Sequence, residues 1–83
     1  MQLLLERERP PLHKDDSGAV RVGNTRVLLE MVIRAFQDGA SPEAIVSRYP
    51  TLSLADAYNT IGYYLNHSQE VENYLNQREV LAG

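Results

Sequence analysis

Hydrophobic residues recur at helical spacing from residue 28 onward. One face of a predicted first helix, residues 28–38, carries four large apolar side chains at i, i+3, i+4 and i+7 spacing. These are Leu29, Val32, Ile33 and Phe36. Leu28 and Met31 widen the apolar surface, and Gly39 supplies a common helix end. So wide an apolar face indicates burial on more than one side of this helix.

Two further helices follow, and local signals set their ends. Ser41 is a typical N-cap before proline, and Pro50 stops the next helix, which predicts a helix over residues 42–49. Ser53 caps a third helix, predicted over residues 54–66. Two helices joined by so short a break are the pattern of a helix-turn-helix.

The third predicted helix has two distinct faces. Apolar and small residues at helical spacing predict the core face: Leu54, Ala57, Tyr58, Ile61, Gly62 and Leu65. The opposite face is predicted to lie in solvent: Asp56, Asn59, Thr60, Tyr63 and Asn66. The last segment is predicted to be helical to about residue 78. It either continues the third helix or kinks from it near His67 and Ser68.

The first 27 residues have the alternation and the turn residues of short strands. Leu12–Lys14 and Ala19–Val22 flank an Asp-Asp-Ser-Gly turn, so the pattern predicts a β-hairpin. Gly23 and Asn24 predict a second turn, because both residue types tolerate left-handed backbone angles.

Charge is distributed unevenly along the chain. Residues 1–48 contain seven basic and seven acidic side chains, whereas residues 49–83 contain Arg78 against four acidic residues, giving the net charge of −3. Affinity for DNA derives largely from neutralised phosphates. Any contact with DNA is therefore expected to depend on the first half of the chain.

The residues do not form a constellation typical of catalysis. Asp15 and Asp16 lie in a predicted turn, and no serine, histidine and acid cluster or glycine-rich phosphate loop appears. His13 and His67 are far apart, so neither a metal site nor a cofactor is expected. The 83 residues contain no cysteine, secretory signal or membrane-length apolar stretch. We expect a non-enzymatic protein with no membrane contact, located in the cytoplasm.

Three short motifs, in order, resemble a known prokaryotic family. They are Gly23-Asn24-Thr25-Arg26, Gly39-Ala40-Ser41-Pro42-Glu43-Ala44-Ile45 and Tyr49-Pro50-Thr51-Leu52. Over roughly residues 12–75 the chain is similar to the family catalogued as domain of unknown function 433. Asn24 stands where many members have a second glycine. Leu28 replaces the small polar residue or proline that often opens the first helix, which leaves that helix without an obvious cap.

The resemblance implies a mainly α fold in a single domain, residues 1–83. Its centre would be a three-helix, homeodomain-like helix-turn-helix core over residues 28–66. A short N-terminal β-hairpin would precede it within residues 1–27, and a C-terminal helical extension would follow over residues 67–83.

The resemblance also implies a regulatory role, since members often lie beside genes for PIN-like nucleases and are described as VapB-type antitoxins. Two functions stay open. One is a dimeric DNA-binding regulator that doubles as an antitoxin in a toxin-antitoxin pair. The other is a protein-interaction module that binds a PIN-like nuclease or another protein without contacting DNA itself.

Eight residues are candidate contacts with DNA or a partner. They are Arg21, Asn24, Thr25, Arg26, Arg48, Asn59, Thr60 and Tyr63. Five of them also have a structural alternative. Thr25 would stabilise its turn, Arg26 would pair with Glu30 four residues on, and Asn59, Thr60 and Tyr63 would form a solvated face. Asparagine suits adenine, but without neighbouring basic residues to hold phosphate the solvated face is the favoured interpretation.

We also expect a homodimer built from the front of the chain. Residues 2–6 are an apolar strand candidate with no obvious partner in their own chain. The predicted hairpin is too small to stand alone, and the first helix has more apolar surface than one core covers. The candidate interface residues are Leu3, Leu4, Leu5, Val20, Val22, Leu28 and Met31.

Overall fold

A computed structural model describes residues 10–82, which form a two-stranded antiparallel hairpin followed by four helices. The strands are β1 (Leu12–Lys14) and β2 (Val20–Val22). The helices are α1 (Leu29–Gln37), α2 (Pro42–Arg48), α3 (Leu54–Asn66) and α4 (Ser68–Ala82). The predicted hairpin and helices are confirmed, and α4 extends beyond its predicted end. The apolar stretch at residues 2–6 lies outside the described residues.

The hairpin is held by its turn as well as by its strands. His13 pairs with Arg21 at its centre. The Asp15 carboxylate accepts hydrogen bonds from the Ser17 amide at 2.9 Å, the Ser17 hydroxyl at 2.6 Å and the Ala19 amide at 3.1 Å. Chiefly because of the hydroxyl bond, the pKa of Asp15 is lowered to about 2. Asp15 therefore has the role of a turn residue, as predicted.

Side-chain hydrogen bonds cap the N-termini of α2 and α3. The Ser41 hydroxyl accepts from the Ala44 amide at 3.1 Å, and the Ser53 hydroxyl accepts from the Asp56 amide at 3.0 Å. Both bonds satisfy amides that have no partner within the first turn of a helix. As expected, Leu28, the residue directly before α1, provides no side-chain oxygen to cap the helix.

Helix α1 lies between two hydrophobic clusters, which explains its wide apolar surface. On one side, Val32 and Ala35 pack with β2, α2 and α3; the buried members of this cluster are Val22, Val27, Val32, Ala35, Ile45, Leu52, Ala57 and Ile61. On the other side, Leu29 and Ile33 pack with Val71 and Leu75 of α4. The second side of α1, which we expected a partner subunit to cover, is covered by α4.

The last segment is a separate helix rather than a continuation of α3. His67 separates the two helices with φ −135° and ψ 40°, outside the helical region. This break allows α4 to turn back and place Val71 and Leu75 against α1. None of the helices within residues 10–82 has both the length and the hydropathy needed to cross a bilayer.

Candidate interaction surface

The Gly23–Arg26 turn is tied to the hairpin by Thr25. The Thr25 hydroxyl donates to the Val22 carbonyl at 2.7 Å and accepts from the Val27 amide at 3.0 Å. These two bonds close the turn between β2 and α1. Thr25 therefore has the structural role that was its alternative to contact with DNA or a partner.

Gly23 brings the same turn against the start of α3. Its φ is +59°, and a Cβ added at this position would lie 2.5 Å from the Asp56 carboxylate. The backbone angle favours glycine at this position, and a larger residue would also displace the Asp56 carboxylate. Asn24 is exposed, and no residue other than glycine has a positive φ within residues 10–82. The predicted turn at Gly23 and Asn24 is confirmed, and Gly23 supplies its left-handed residue.

Arg26 does not pair with Glu30, because other groups occupy that carboxylate. Glu30 accepts from Arg78 Nε at 2.8 Å and from the Tyr74 hydroxyl at 2.9 Å, both on α4. Burial raises the pKa of Glu30, but the hydrogen bonds from Arg78, from the backbone and from Tyr74 together outweigh it, and the net shift is downward. Arg26 is exposed and has no ion-pair partner within residues 10–82.

Tyr74 connects this carboxylate to the hairpin. Its hydroxyl donates to Glu30 and accepts from the Val20 amide at 2.8 Å. The Val20 amide faces away from β1, so the tyrosine satisfies an edge group of β2. Partial burial raises the pKa of Tyr74, and the hydrogen bond to Glu30 raises it further. The hydrogen bond from the Val20 amide lowers it, but the net shift is upward. This network joins β2, α1 and α4.

Half of the lysine and arginine side chains among residues 10–82 are held in ion pairs. Arg21 pairs with Asp15 at 3.2 Å, and Arg34 pairs with Glu79. Arg78 is bound to Glu30. Among the described residues, the cations outside ion pairs are Lys14, Arg26 and Arg48. Lys14 lies on β1, Arg26 lies in the turn before α1, and Arg48 lies on α2. Helix α3 itself contains no lysine or arginine.

The buried face of α3 is rotated from the predicted one. Ala57 and Ile61 are buried as predicted, but three residues assigned to the core are exposed. Leu54 is 44%, Tyr58 50% and Leu65 61% exposed. The core instead takes in Thr60, which is fully buried. The predicted apolar residues do share one side of α3, but about half of them face away from the rest of the described chain.

The outer face of α3 is the candidate interaction surface. We define it by its exposed residues and the adjoining glycine: Leu54, Ala55, Tyr58, Asn59, Gly62, Leu65 and Asn66. It contains no charged residue. Exposed large hydrophobic side chains that share one helix face are typical of a protein-binding surface. This surface was missed from the sequence because its apolar residues had been assigned to the core.

Thr60 is excluded as a contact residue by its burial, which corrects our prediction. Its hydroxyl oxygen has no hydrogen-bond partner in the part of the chain that the structure describes. Threonine has the shape of valine, and its side chain is buried here as a valine would be. Thr60 therefore occupies a core position of α3 although it is a polar residue type.

Thr60→Val should therefore stabilise the protein by about 1 kcal/mol, because it removes a buried hydroxyl that lacks a partner. The free energy of unfolding from urea denaturation is the measurement, with the exposed Thr51→Val as control and expected to stay within about 0.5 kcal/mol. A lower stability for Thr60→Val would contradict an unpaired hydroxyl.

The remaining predicted contacts on α3 differ in accessibility. Asn59 is exposed on the outer face. Tyr63 is half-buried, and its ring stacks on His67 with centroids 4.4 Å apart. Asn59 is thus free to contact a partner, whereas Tyr63 contributes to the junction between α3 and α4.

The proposed front interface is only partly accessible. Val22 is fully buried, so it is excluded from any interface of the folded chain. Val20 and Met31 are half-buried and pack against the two clusters, and Leu28 is half-buried at the start of α1. Leu3, Leu4 and Leu5 lie outside the described residues.

An open cleft of about 280 Å³ lies between the hairpin, α1, α3 and α4. Its lining is mostly apolar, including Leu12, Leu29 and Val71, with Lys14 and Glu70 as its charged members. Within residues 10–82 no group of three histidine, cysteine, aspartate or glutamate residues is placed to hold a metal ion.

Comparison with known proteins agrees with the three motifs. The model of the family described as "Protein of unknown function (DUF433)" matches residues 16–64. That segment includes the Gly23–Arg26 turn, α1, α2 and most of α3. No curated protein and no solved structure matches the chain. Because the matched segment covers more than half of the 83 residues, this chain belongs to the DUF433 family.

Proposed function

We propose that this chain is a small non-catalytic regulatory protein that acts through protein–protein contact, as the antitoxin of a cytoplasmic toxin-antitoxin pair. The observation that supports this most is the outer face of α3. It is free of charge and exposes Leu54, Tyr58 and Leu65. An exposed apolar row favours another protein surface over water or phosphate as its partner.

Charge argues against α3 as a helix that binds DNA on its own. Asp56 lies in the first turn of α3, and Glu70 and Glu72 follow on α4. The nearest basic residue in sequence after α3, Arg78, is held by Glu30. A DNA-binding surface gains most of its affinity from phosphate contacts, which this part of the protein does not supply.

A helix-turn-helix regulator is the second candidate. The order of α1, α2 and α3 and the short break before α3 are compatible with a three-helix, homeodomain-like core. Asn59 is exposed on α3, and Arg26 and Arg48 are exposed cations outside ion pairs within residues 10–82. A dimer would double these cations, so this candidate depends on self-association more than the first does.

The partner in our proposal is the PIN-like nuclease that the family resemblance implies. Co-expression with a PIN-like nuclease provides the first test. Leu54→Glu should weaken the complex by at least about tenfold, because it places a charge on an apolar contact surface. Asn76→Glu adds the same charge on an exposed position of α4 and should leave the complex intact.

DNA binding supplies the opposing test. Fluorescence anisotropy with the DNA upstream of the gene should give no saturable binding at about 200 mM salt, even if weak association appears at about 50 mM. Saturable, sequence-specific binding that Asn59→Ala weakens would overturn the first candidate and support the second.

A further inference from the structure

The outer face of α3 contains two parallel rows of different size. With about 3.6 residues per turn, Leu54, Tyr58 and Leu65 align along one side of the face. Ala55 and Gly62 align beside them. The large side chains form a ridge, and the two small residues form a groove along it. Both rows lie on exposed helix surface or at its edge.

Packing within residues 10–82 does not explain why residue 62 is glycine. A Cβ at this position would meet no atom of these residues within 4 Å, and its φ is not in the left-handed region. Glycine in a helix interior costs about 1 kcal/mol relative to alanine. Neither backbone angle nor a close neighbour within the described residues offsets that cost. A helix glycine with open space above it suits close approach by another molecule.

We propose that α3 pairs with α3 of a second copy, antiparallel about a two-fold axis that passes between Tyr58 and Gly62 on the outer face. In this register Tyr58 of each copy lies over the partner's Gly62, and Leu65 lies over the partner's Ala55. Tyr58 and Leu65 each meet a small residue of the groove, and the same contacts occur twice. A two-fold interface requires such self-complementarity, in which i contacts j and j contacts i.

Charge and orientation also favour a second copy. The chain has a net charge of −3, so two copies approach best where neither presents a charge. The outer face of α3 meets that condition. The Tyr58 hydroxyl donates to Glu43 of α2, and this bond raises the pKa of Tyr58. The contact orients the Tyr58 ring before association, which lowers the entropy cost of burying it.

This inference rests on the proposed function, in which α3 binds protein, and it names the first partner as another copy of this chain. Sedimentation velocity on the full chain tests it. We expect a dimer at micromolar concentration. Gly62→Gln should raise the dimer dissociation constant at least about tenfold, because it fills the groove. The melting temperature of its monomer should be unchanged or raised, because glutamine favours helix.

Two more variants complete the test. Leu65→Gln removes a ridge residue that is already exposed, so its effect should be on association rather than folding. Asn76→Gln on α4 is the control and should leave the dissociation constant within about twofold. A wild-type monomer at about 100 µM would overturn the inference. An unchanged dissociation constant in both Gly62→Gln and Leu65→Gln would do the same.

Disulfide cross-linking tests the register, because the chain has no cysteine of its own. Ala55→Cys combined with Leu65→Cys should give a cross-linked dimer on oxidation. Ala55→Cys alone should not, since antiparallel helices place the two copies of residue 55 about 15 Å apart. Equal cross-linking by the single variant, or none by the double variant, would overturn the antiparallel register.

The two proposals fail in different ways. A monomer that still binds the nuclease in a Leu54-dependent manner would overturn self-pairing and support the proposed function. A dimer held by α3 that binds specific DNA through Asn59 would support self-pairing and overturn the proposed function.

Discussion

Ile61→Ala should destabilise the protein by about 2–5 kcal/mol, whereas Leu65→Ala should cost less than about 1 kcal/mol. Both residues lie on the apolar stripe of α3, and the sequence pattern alone would assign them equal cost. The difference comes from position: Ile61 is buried in the cluster with Val32 and Ile45, and Leu65 is 61% exposed. Truncating Ile61 leaves a cavity in the core, whereas water fills the space left by truncating Leu65.

Urea denaturation followed by far-ultraviolet circular dichroism measures both variants. The protein concentration should be low enough for the chain to be monomeric by sedimentation, so that association does not contribute to stability. Small domains have total stabilities of about 5–15 kcal/mol, so Ile61→Ala could leave the chain largely unfolded at elevated temperature. Equal losses in the two variants would contradict the orientation of α3.

Tyr74→Phe should destabilise the protein by about 1–3 kcal/mol, although it removes one oxygen atom. The hydroxyl joins the Val20 amide to the Glu30 carboxylate, and its loss leaves a partly buried amide without its partner. The cost of such a variant is the desolvation of the groups left behind rather than the strength of one bond.

Tyr58→Phe is the matched control, because Tyr58 also donates its hydroxyl to a carboxylate, that of Glu43. Tyr58 is half-exposed and water replaces its lost partner, so the expected change stays within about 0.5 kcal/mol. Thermal unfolding of both variants gives the comparison. A Tyr74→Phe variant as stable as wild type would mean that the contact between β2 and α4 contributes nothing to the fold.

The elements of the fold could be predicted because their signals are local. Ser41 and Ser53 cap their helices through the amide three residues on, and Pro50 ends α2 by its covalent structure. The Asp15 turn is likewise built from residues within four positions of each other. No knowledge of distant parts of the chain was needed for these assignments.

The faces and partners of the elements could not be predicted, because they depend on distant residues. Glu30 has Arg26 four positions away but binds Arg78 on α4 instead. An apolar stripe on α3 has the same appearance whether its own core or another molecule covers it. Thr60 was assigned to solvent by its hydroxyl, although its shape suits the core. The candidate surface therefore emerged only when α3 was placed against α1 and α2.

Because α1 lies between two hydrophobic clusters, its position bears on which part of the chain must fold as one cooperative unit. The family match ends at residue 64, within α3. That segment contains Leu29 and Ile33 but not Val71 and Leu75, which cover them. A chain ending there would present half of α1 to water. We therefore expect the cooperative unit of folding to extend beyond the segment that the family model matches and to include Leu75.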